Sequence, residues 1–228
     1  MKNIVLSILL MSACAMIYAQ ADSSPYQAIV AVDGSGDYKT VQEAINAVPD
    51  GQTKPWLILI KNGLYNEQVI IPKNKPYVHL IGQDKDKTII HLNLNVGSKL
   101  TGKEIGGKTA YWEHSVHNPS SPVYKYEGSV VVKGDHFYTE NISYVNDWGV
   151  LSDNGPQALA LNTKEDRVVF NKCGMYSYQD TWITTSISNA RCYAKDCFIE
   201  GAVDFIYNSG NYKLAFSPAM QETLQAHQ

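Results

Sequence analysis

Long apolar runs, basic stretches and a workable set of cysteines are all missing from this chain. The one sustained apolar run near the N-terminus, Ile4 to Met11, is too short to cross a bilayer, which excludes a membrane-spanning helix there. Lys and Arg number 19 against 22 Asp and Glu, giving a formal charge of −3, and the basic residues do not cluster. That balance leaves no nucleic-acid footprint. Of the four cysteines, Cys14 falls in the N-terminal segment. Cys173, Cys192 and Cys197 remain, an odd set that cannot complete a disulfide framework. No Cys/His spacing suits zinc, so a structural metal is not expected. Past Val48 no helical periodicity interrupts the chain, which argues against a βαβ architecture.

What is present begins with an export signal over residues 1–19: Lys2 supplies the charge, the apolar run follows, and small residues lead to cleavage after Ala19. Met11-Ser-Ala-Cys14 offers a second reading, a bacterial lipoprotein signal in which Cys14 carries the lipid. Either way the destination is outside the cytoplasm, periplasmic or secreted. Residues 20–28 read as a polar leader. Ile29–Val32 reads as a short strand, followed by the turn Asp33-Gly-Ser-Gly-Asp37. Thr40 and Glu43 have capping-box spacing; Val41, Ala44, Ile45 and Val48 share one helical face, and Pro49 ends the pattern.

Strand-like runs follow at Trp56–Ile60, Gln68–Ile71, Val78–Ile81 and Thr88–Leu92, with Lys61-Asn-Gly63 among the turns between them. Residues 97–127 read as a long loop. Runs resume at Ser129–Val132, Phe137–Tyr144, Ala158–Leu161 and Val168–Phe170 and continue to Tyr207. The chain is rich in aromatics, with 15 Tyr and 4 Trp, which suit both a β core and flat platforms for sugar rings.

Within this region Cys173-Gly-Met-Tyr-Ser-Tyr-Gln-Asp180 is echoed by Cys197-Phe-Ile-Glu-Gly-Ala-Val-Asp204, and both the cysteines and the aspartates are 24 positions apart. A repeat of that length in β-forming sequence predicts an all-β solenoid, capped at its start by the short helix. Equivalent positions on successive coils stack at about 4.7–4.9 Å. Stacked cysteines read as core. Stacked carboxylates cannot both ionise cheaply, which makes Asp180 and Asp204 a candidate acid–nucleophile pair. The plain alternative is two aspartates at solvated turns.

The blocks resemble, in order, those of the pectin methylesterases, carbohydrate esterases acting on methyl-esterified homogalacturonan. They are Val32-Asp-Gly-Ser-Gly-Asp-Tyr-Lys-Thr-Val-Gln-Glu-Ala-Ile45, Ile60-Lys-Asn-Gly-Leu-Tyr-Asn-Glu67, His79-Leu-Ile-Gly-Gln-Asp-Lys-Asp-Lys-Thr-Ile-Ile90, Asn141-Ile-Ser-Tyr-Val-Asn146, Gln157-Ala-Leu-Ala-Leu161, Asp166-Arg-Val-Val-Phe170, Tyr178-Gln-Asp-Thr181 and Gly201-Ala-Val-Asp-Phe-Ile206. The resemblance implies a right-handed parallel β-helix over 29–211 that works without metal or cofactor. It assigns Asp204 as nucleophile, Asp180 as general acid then base, and Gln157 and Gln179 as oxyanion donors. Trp148, Trp182 and Tyr207 are the expected sugar-stacking residues. The implied partner is methyl-esterified polygalacturonate, acted on by a monomer, with no nucleic acid and no membrane span.

The resemblance fades after Asn211, and 212–228 reads as a divergent tail in which Ser217-Pro218 could open a short helix. The family's later Arg-x-Trp segment, whose arginine pairs with the nucleophilic aspartate, has no counterpart: Arg167 and Arg191 are the sole arginines and match other positions. The expectation is therefore a C-terminally truncated, bacterial-type esterase with impaired activity. The competing readings are a non-catalytic pectin-binding β-helix and, further off, a pectate lyase.

Overall fold

The structure is a computed structural model that describes residues 24–93, 128–148, 157–184, 190–207 and 211–215. The export signal, the loop at 97–127 and the proposed helix after Ser217 lie outside the described residues.

In chain order the elements are β1 (Ala28–Val30), α1 (Val41–Ala47), β2 (Trp56–Ile60), β3 (Gly63–Asn66), β4 (Val69–Ile71), β5 (Val78–Gly82), β6 (Thr88–His91), β7 (Val130–Val132), β8 (Tyr138–Glu140), β9 (Ser143–Val145), β10 (Leu161–Thr163), β11 (Val168–Asn171), β12 (Gly174–Tyr176), β13 (Trp182–Thr184), β14 (Arg191–Lys195), β15 (Phe198–Glu200), β16 (Ile206–Tyr207) and β17 (Asn211–Ala215). From β2 onward every third strand joins the same sheet. Sheet A runs β1-β2-β5-β8-β11-β14-β17, sheet B runs β3-β6-β9-β12-β15, and sheet C runs β4-β7-β10-β13-β16. All the pairings are parallel, which makes this the expected parallel β-helix.

The corners between sheets explain where the sequence reading was right and where it slipped. A parallel coil turns within one or two residues, so a residue in the left-handed region can redirect the backbone. Tyr77, His136 and Arg167 stack at one corner, with φ of 60°, 55° and 58°. Asn141, Lys172 and Asp196 stack at another, with φ of 55°, 51° and 53°. Asn141 thus splits the run read as Phe137–Tyr144 into β8 and β9, on different sheets. Gly63 opens β3 rather than closing a turn, and β10 begins where the run read as Ala158–Leu161 ends. β17 pairs in register with β14, so residues 212–215, read as tail, belong to the stack.

The interior is a column of aliphatic and aromatic side chains. Phe170 meets Phe137, Tyr144 and Trp182 with ring centroids 6.2, 6.1 and 5.4 Å apart. Cys173 and Cys197 are buried and stacked, with the Cys173 N–H donating to the Cys197 Sγ at 3.4 Å. Their placement in the core matches the repeat.

Helix α1 closes the first coil. The Thr40–Glu43 capping box is formed, and Val41, Ala44 and Ile45 are buried. Gln42 turns its side-chain amide onto edge strand β4: its Oε1 accepts from the Ile70 N–H at 2.7 Å and its Nε2 donates to the Ile70 carbonyl at 3.1 Å. One side chain thereby occupies an edge that would otherwise offer unpaired backbone groups. Buried Glu67 accepts from the Val41 and Gln42 N–H groups at 2.8 and 2.9 Å, satisfying donors at the start of the helix.

Candidate active site

The corner between sheets B and C carries the two aspartates. Gln179 pairs with Val203 and Trp182 with Ile206, so Asp180 and Asp204 stand opposite each other on adjacent coils. Both are in the left-handed region, with φ of 65° and 47°. Asp tolerates that conformation better than most residues because its short polar side chain can bond locally. The repeat thus places two carboxylates at equivalent corners of successive coils.

Their environments differ. Asp180 is 6% exposed, whereas Asp204 lies in an exposed stretch. Burial pushes the Asp180 carboxyl above its ordinary value, a hydrogen bond from Tyr207 draws it back, and the neighbouring Asp204 charge raises it further. The Tyr207 hydroxyl is itself pushed well up, first by burial, then by the charge of Asp180 and the bond it donates to it. One acid is biased to keep its proton while its partner faces solvent, the asymmetry that acid–nucleophile chemistry requires.

The turns bearing the aspartates are bonded face to face. The Asp180 N–H donates to the Val203 carbonyl at 3.0 Å, and the Ala202 N–H to the Tyr178 carbonyl at 2.7 Å. The Thr181 Oγ1 donates to the Glu200 carbonyl at 2.7 Å. Gly201 is required where it sits: a Cβ there would lie 2.5 Å from both the Phe205 Cβ and the Thr181 Oγ1.

Gln157 and Gln179 arrive from neighbouring coils. The Ala158 N–H donates to the Gln179 carbonyl at 3.1 Å, and the Ser177 Oγ donates to the Ala158 carbonyl at 2.5 Å. These bonds tie the segment after Gln157 to the segment before Asp180. Gln157 is exposed and Gln179 half-buried.

The aromatic residues separate into three cases. Trp182 is a correction. It is fully buried, flanked in register by Leu161 and Ile206, and its Nε1 donates to the Thr163 Oγ1 at 3.2 Å. Strand alternation turns position 182 inward, so Trp182 fills the core and presents no face to a sugar. Tyr207 is half-buried beside Ile183 on the next strand, and its hydroxyl is engaged with Asp180. Trp148 is half-buried, its backbone N–H donating to the Asn146 Oδ1 at 3.3 Å.

Both arginines are engaged away from the aspartates, at the start of sheet A strands. Arg191 donates to Asp166 at 2.9 and 2.5 Å, and Arg167 binds Asp135. Sequence reasoning missed Thr181 and Gly201 as structural partners, although the 24-residue register already brings their segments together. It also missed a buried polar cluster two coils earlier. There the His91 Nδ1 meets the Asn66 Oδ1 at 2.8 Å, the His91 Nε2 lies 3.1 Å from the Asp147 Oδ1, and the Asn93 Nδ2 donates to that same oxygen at 2.6 Å. Among the described residues no group of three acidic, His or Cys side chains is placed to hold a metal ion.

Comparison with known proteins identifies the family and the fold. The family model described as Pectinesterase matches residues 27–219, past the point where the sequence resemblance was read to fade. Among curated relatives, a pectinesterase of Petunia integrifolia is 35% identical over 84% of this chain and 44% of its own length. Pectinesterase 31 of Arabidopsis thaliana is 34% identical over 79% of this chain and 51% of its own. Among solved structures, the pectin methylesterase from carrot superposes with a TM-score of 0.64 at 30% identity, covering 84% of this chain and 50% of that one. The enzyme from Erwinia chrysanthemi gives 0.64 at 25% identity, covering 85% and 54%. The chain thus spans about half the length of these proteins or less.

Proposed function

This chain belongs to the pectinesterase family, and from that premise we propose that it hydrolyses methyl esters of homogalacturonan, releasing pectate and methanol. The observation that carries the reading is the pairing of a buried Asp180, whose carboxyl burial pushes up, with an exposed Asp204 at the same corner of adjacent coils.

The steps follow from that asymmetry. An Asp204 carboxylate oxygen attacks the ester carbonyl carbon, and the negative charge moves to the carbonyl oxygen. The side-chain amides of Gln157 and Gln179 donate to that oxyanion. As the intermediate collapses, the C–O bond to the methoxy group breaks and the Asp180 proton passes to it, releasing methanol. The product on the protein is a mixed anhydride between Asp204 and the galacturonate carboxyl. Asp180, now ionised, takes a proton from water; the hydroxide attacks the galacturonate acyl carbon, and Asp204 leaves as carboxylate. The proton taken from water leaves Asp180 ready for the next cycle, and the galacturonic acid product ionises in solvent. Trp148 and Tyr207 are the remaining candidates for contact with the saccharide. Export from the cytoplasm, through the segment read at residues 1–19, fits a polymeric substrate of this kind.

Asp204 has no guanidinium partner in these 228 residues, because Arg167 and Arg191 are bound to Asp135 and Asp166. A charge-assisted hydrogen bond is worth about 1.5–3 kcal/mol. A guanidinium donor to Asp204 would speed the attack by roughly ten- to a hundredfold, since each ~1.36 kcal/mol is tenfold in rate. The experiment is methanol release from methyl-esterified pectin by the 228-residue chain and its Asp204→Asn variant. Release that disappears in the variant is expected. Binding of the polymer with no methanol from either protein would favour the non-catalytic reading.

A further inference from the structure

We propose that Thr181 is a positioning residue: its hydroxyl sets the spacing between the turns that carry Asp180 and Asp204, in a gap that exists because residue 201 is glycine. The proposal rests on the reading of those two acids as the reacting pair.

Three observations converge on it. Thr181 is fully buried directly after Asp180, so its side chain is held between coils. Its Oγ1 donates to the Glu200 carbonyl at 2.7 Å, at the entry to the turn that ends in Asp204. A Cβ on residue 201 would lie 2.5 Å from that same oxygen, so the turn wraps the hydroxyl as closely as a backbone can. The backbone bonds from Asp180 to Val203 and from Trp182 to Phe205 hold the residues on either side of Asp204. The Thr181 hydroxyl fixes the turn's entry, and together they define where Asp204 stands.

The substitution that reports on this is Thr181→Val, which puts a methyl where the hydroxyl was. Carbon-to-carbonyl-oxygen contacts need about 3.3–3.6 Å, and the hydroxyl occupies 2.7 Å. The coils must then part locally by roughly half an ångström or more, the scale at which reacting groups lose productive geometry. Thr181→Ser keeps the donor and removes the methyl group. Thr181→Ala removes the donor without adding a contact, and so tests the same point if the valine variant folds poorly.

The experiment is a carbon-13 titration of the Asp180 and Asp204 carboxyls in the full 228-residue chain, with kcat and KM for methanol release measured alongside. With valine, Asp180 should titrate at lower pH, because Asp204 moves away and water enters. The value of kcat should fall about tenfold or more, with a smaller change in KM. Alanine should move both in the same direction, and serine should track the unsubstituted chain. An Asp180 titration unchanged from that of the unsubstituted chain in folded valine and alanine variants, or a serine variant as impaired as valine, overturns the proposal. If the unsubstituted chain releases no methanol, the esterase reading fails, while the carboxyl titration still decides whether Thr181 sets the spacing.

Discussion

Tyr207 donates its hydroxyl to the Asp180 carboxylate from the following coil and also lies within electrostatic reach of Asp204. A residue expected to stack on sugar is also coupled to both acids. This bond stabilises ionised Asp180 and so opposes the effect of burial.

Replacing Tyr207 with Phe should therefore raise the Asp180 pKa further. Asp180 must hold its proton to release methanol, and its protonated fraction falls as pH rises through its pKa. The alkaline limb of the acylation rate should move to higher pH in Tyr207→Phe. A pH–rate profile of single-turnover methanol release measures it, and a shift to lower pH would contradict the assignment.

Asp180→Asn removes the proton donor but keeps the shape of the side chain. Methanol release should fall by about a hundredfold to ten-thousandfold, the usual contribution of general acid–base catalysis. Circular dichroism and the urea midpoint should stay close to those of the unsubstituted chain. A variant with a near-normal rate would remove Asp180 from the mechanism.

Glu67, buried under α1, is pushed up to about 7, mainly by desolvation, with Glu43 adding to the rise against the bonds from Gln42 and Val41. A raised carboxyl stabilises the fold below its unfolded pKa, and that stability is lost as pH rises through the folded one. Urea stability should accordingly fall between about pH 4.5 and 7, by roughly 3 kcal/mol at about 1.36 kcal/mol per unit. Glu67→Gln should flatten that dependence while weakening the cap at every pH, because one amide oxygen replaces two acceptors. Equal pH slopes in the two proteins would rule out Glu67 as the cause.

Trp182→Ala should cost about 3–5 kcal/mol in urea unfolding, the range for deleting a large buried aromatic. A sugar-stacking residue at the surface would behave otherwise, lowering polymer affinity while leaving the midpoint in place.

Gly201→Ala should destabilise the fold by about 1–3 kcal/mol, since overpacking forces neighbours to shift. Here the neighbours are Phe205 and Thr181. Its effect on kcat should exceed what the stability loss alone implies, because the displaced turn carries Asp204. Thermal melting and kcat measured together check it.

Much of this arrangement was legible in the sequence, for identifiable reasons. The capping box at Thr40 and Glu43 is a local signal, and the structure forms it as read. The 24-residue echo between Cys173–Asp180 and Cys197–Asp204 fixes register without any long-range information, so the stacked cysteines and opposed aspartates followed from it. Trp182 was misplaced because the left-handed corner at Asp180 resets the alternation of faces, and no pattern in the chain announces that reset. Gly63 and Asn66 look like turn residues, yet they bound a strand, since corners this tight leave little sequence to themselves. Tyr207 and Thr181 act through oxygens whose partners lie one coil away, so only the assembled register reveals what they touch.

The strict succession of pairings has a consequence for how the molecule comes apart. Each strand bonds only to strands one coil before and one coil after, so free energy is stored as a series of neighbour interfaces rather than in one shared centre. Opening can then proceed coil by coil, and amide protection should grade along the axis. The two aspartates straddle a single interface, between the β13 and β16 coils. Catalytic competence therefore follows the integrity of that one interface, and inactivation on warming should precede the loss of most of the β signal.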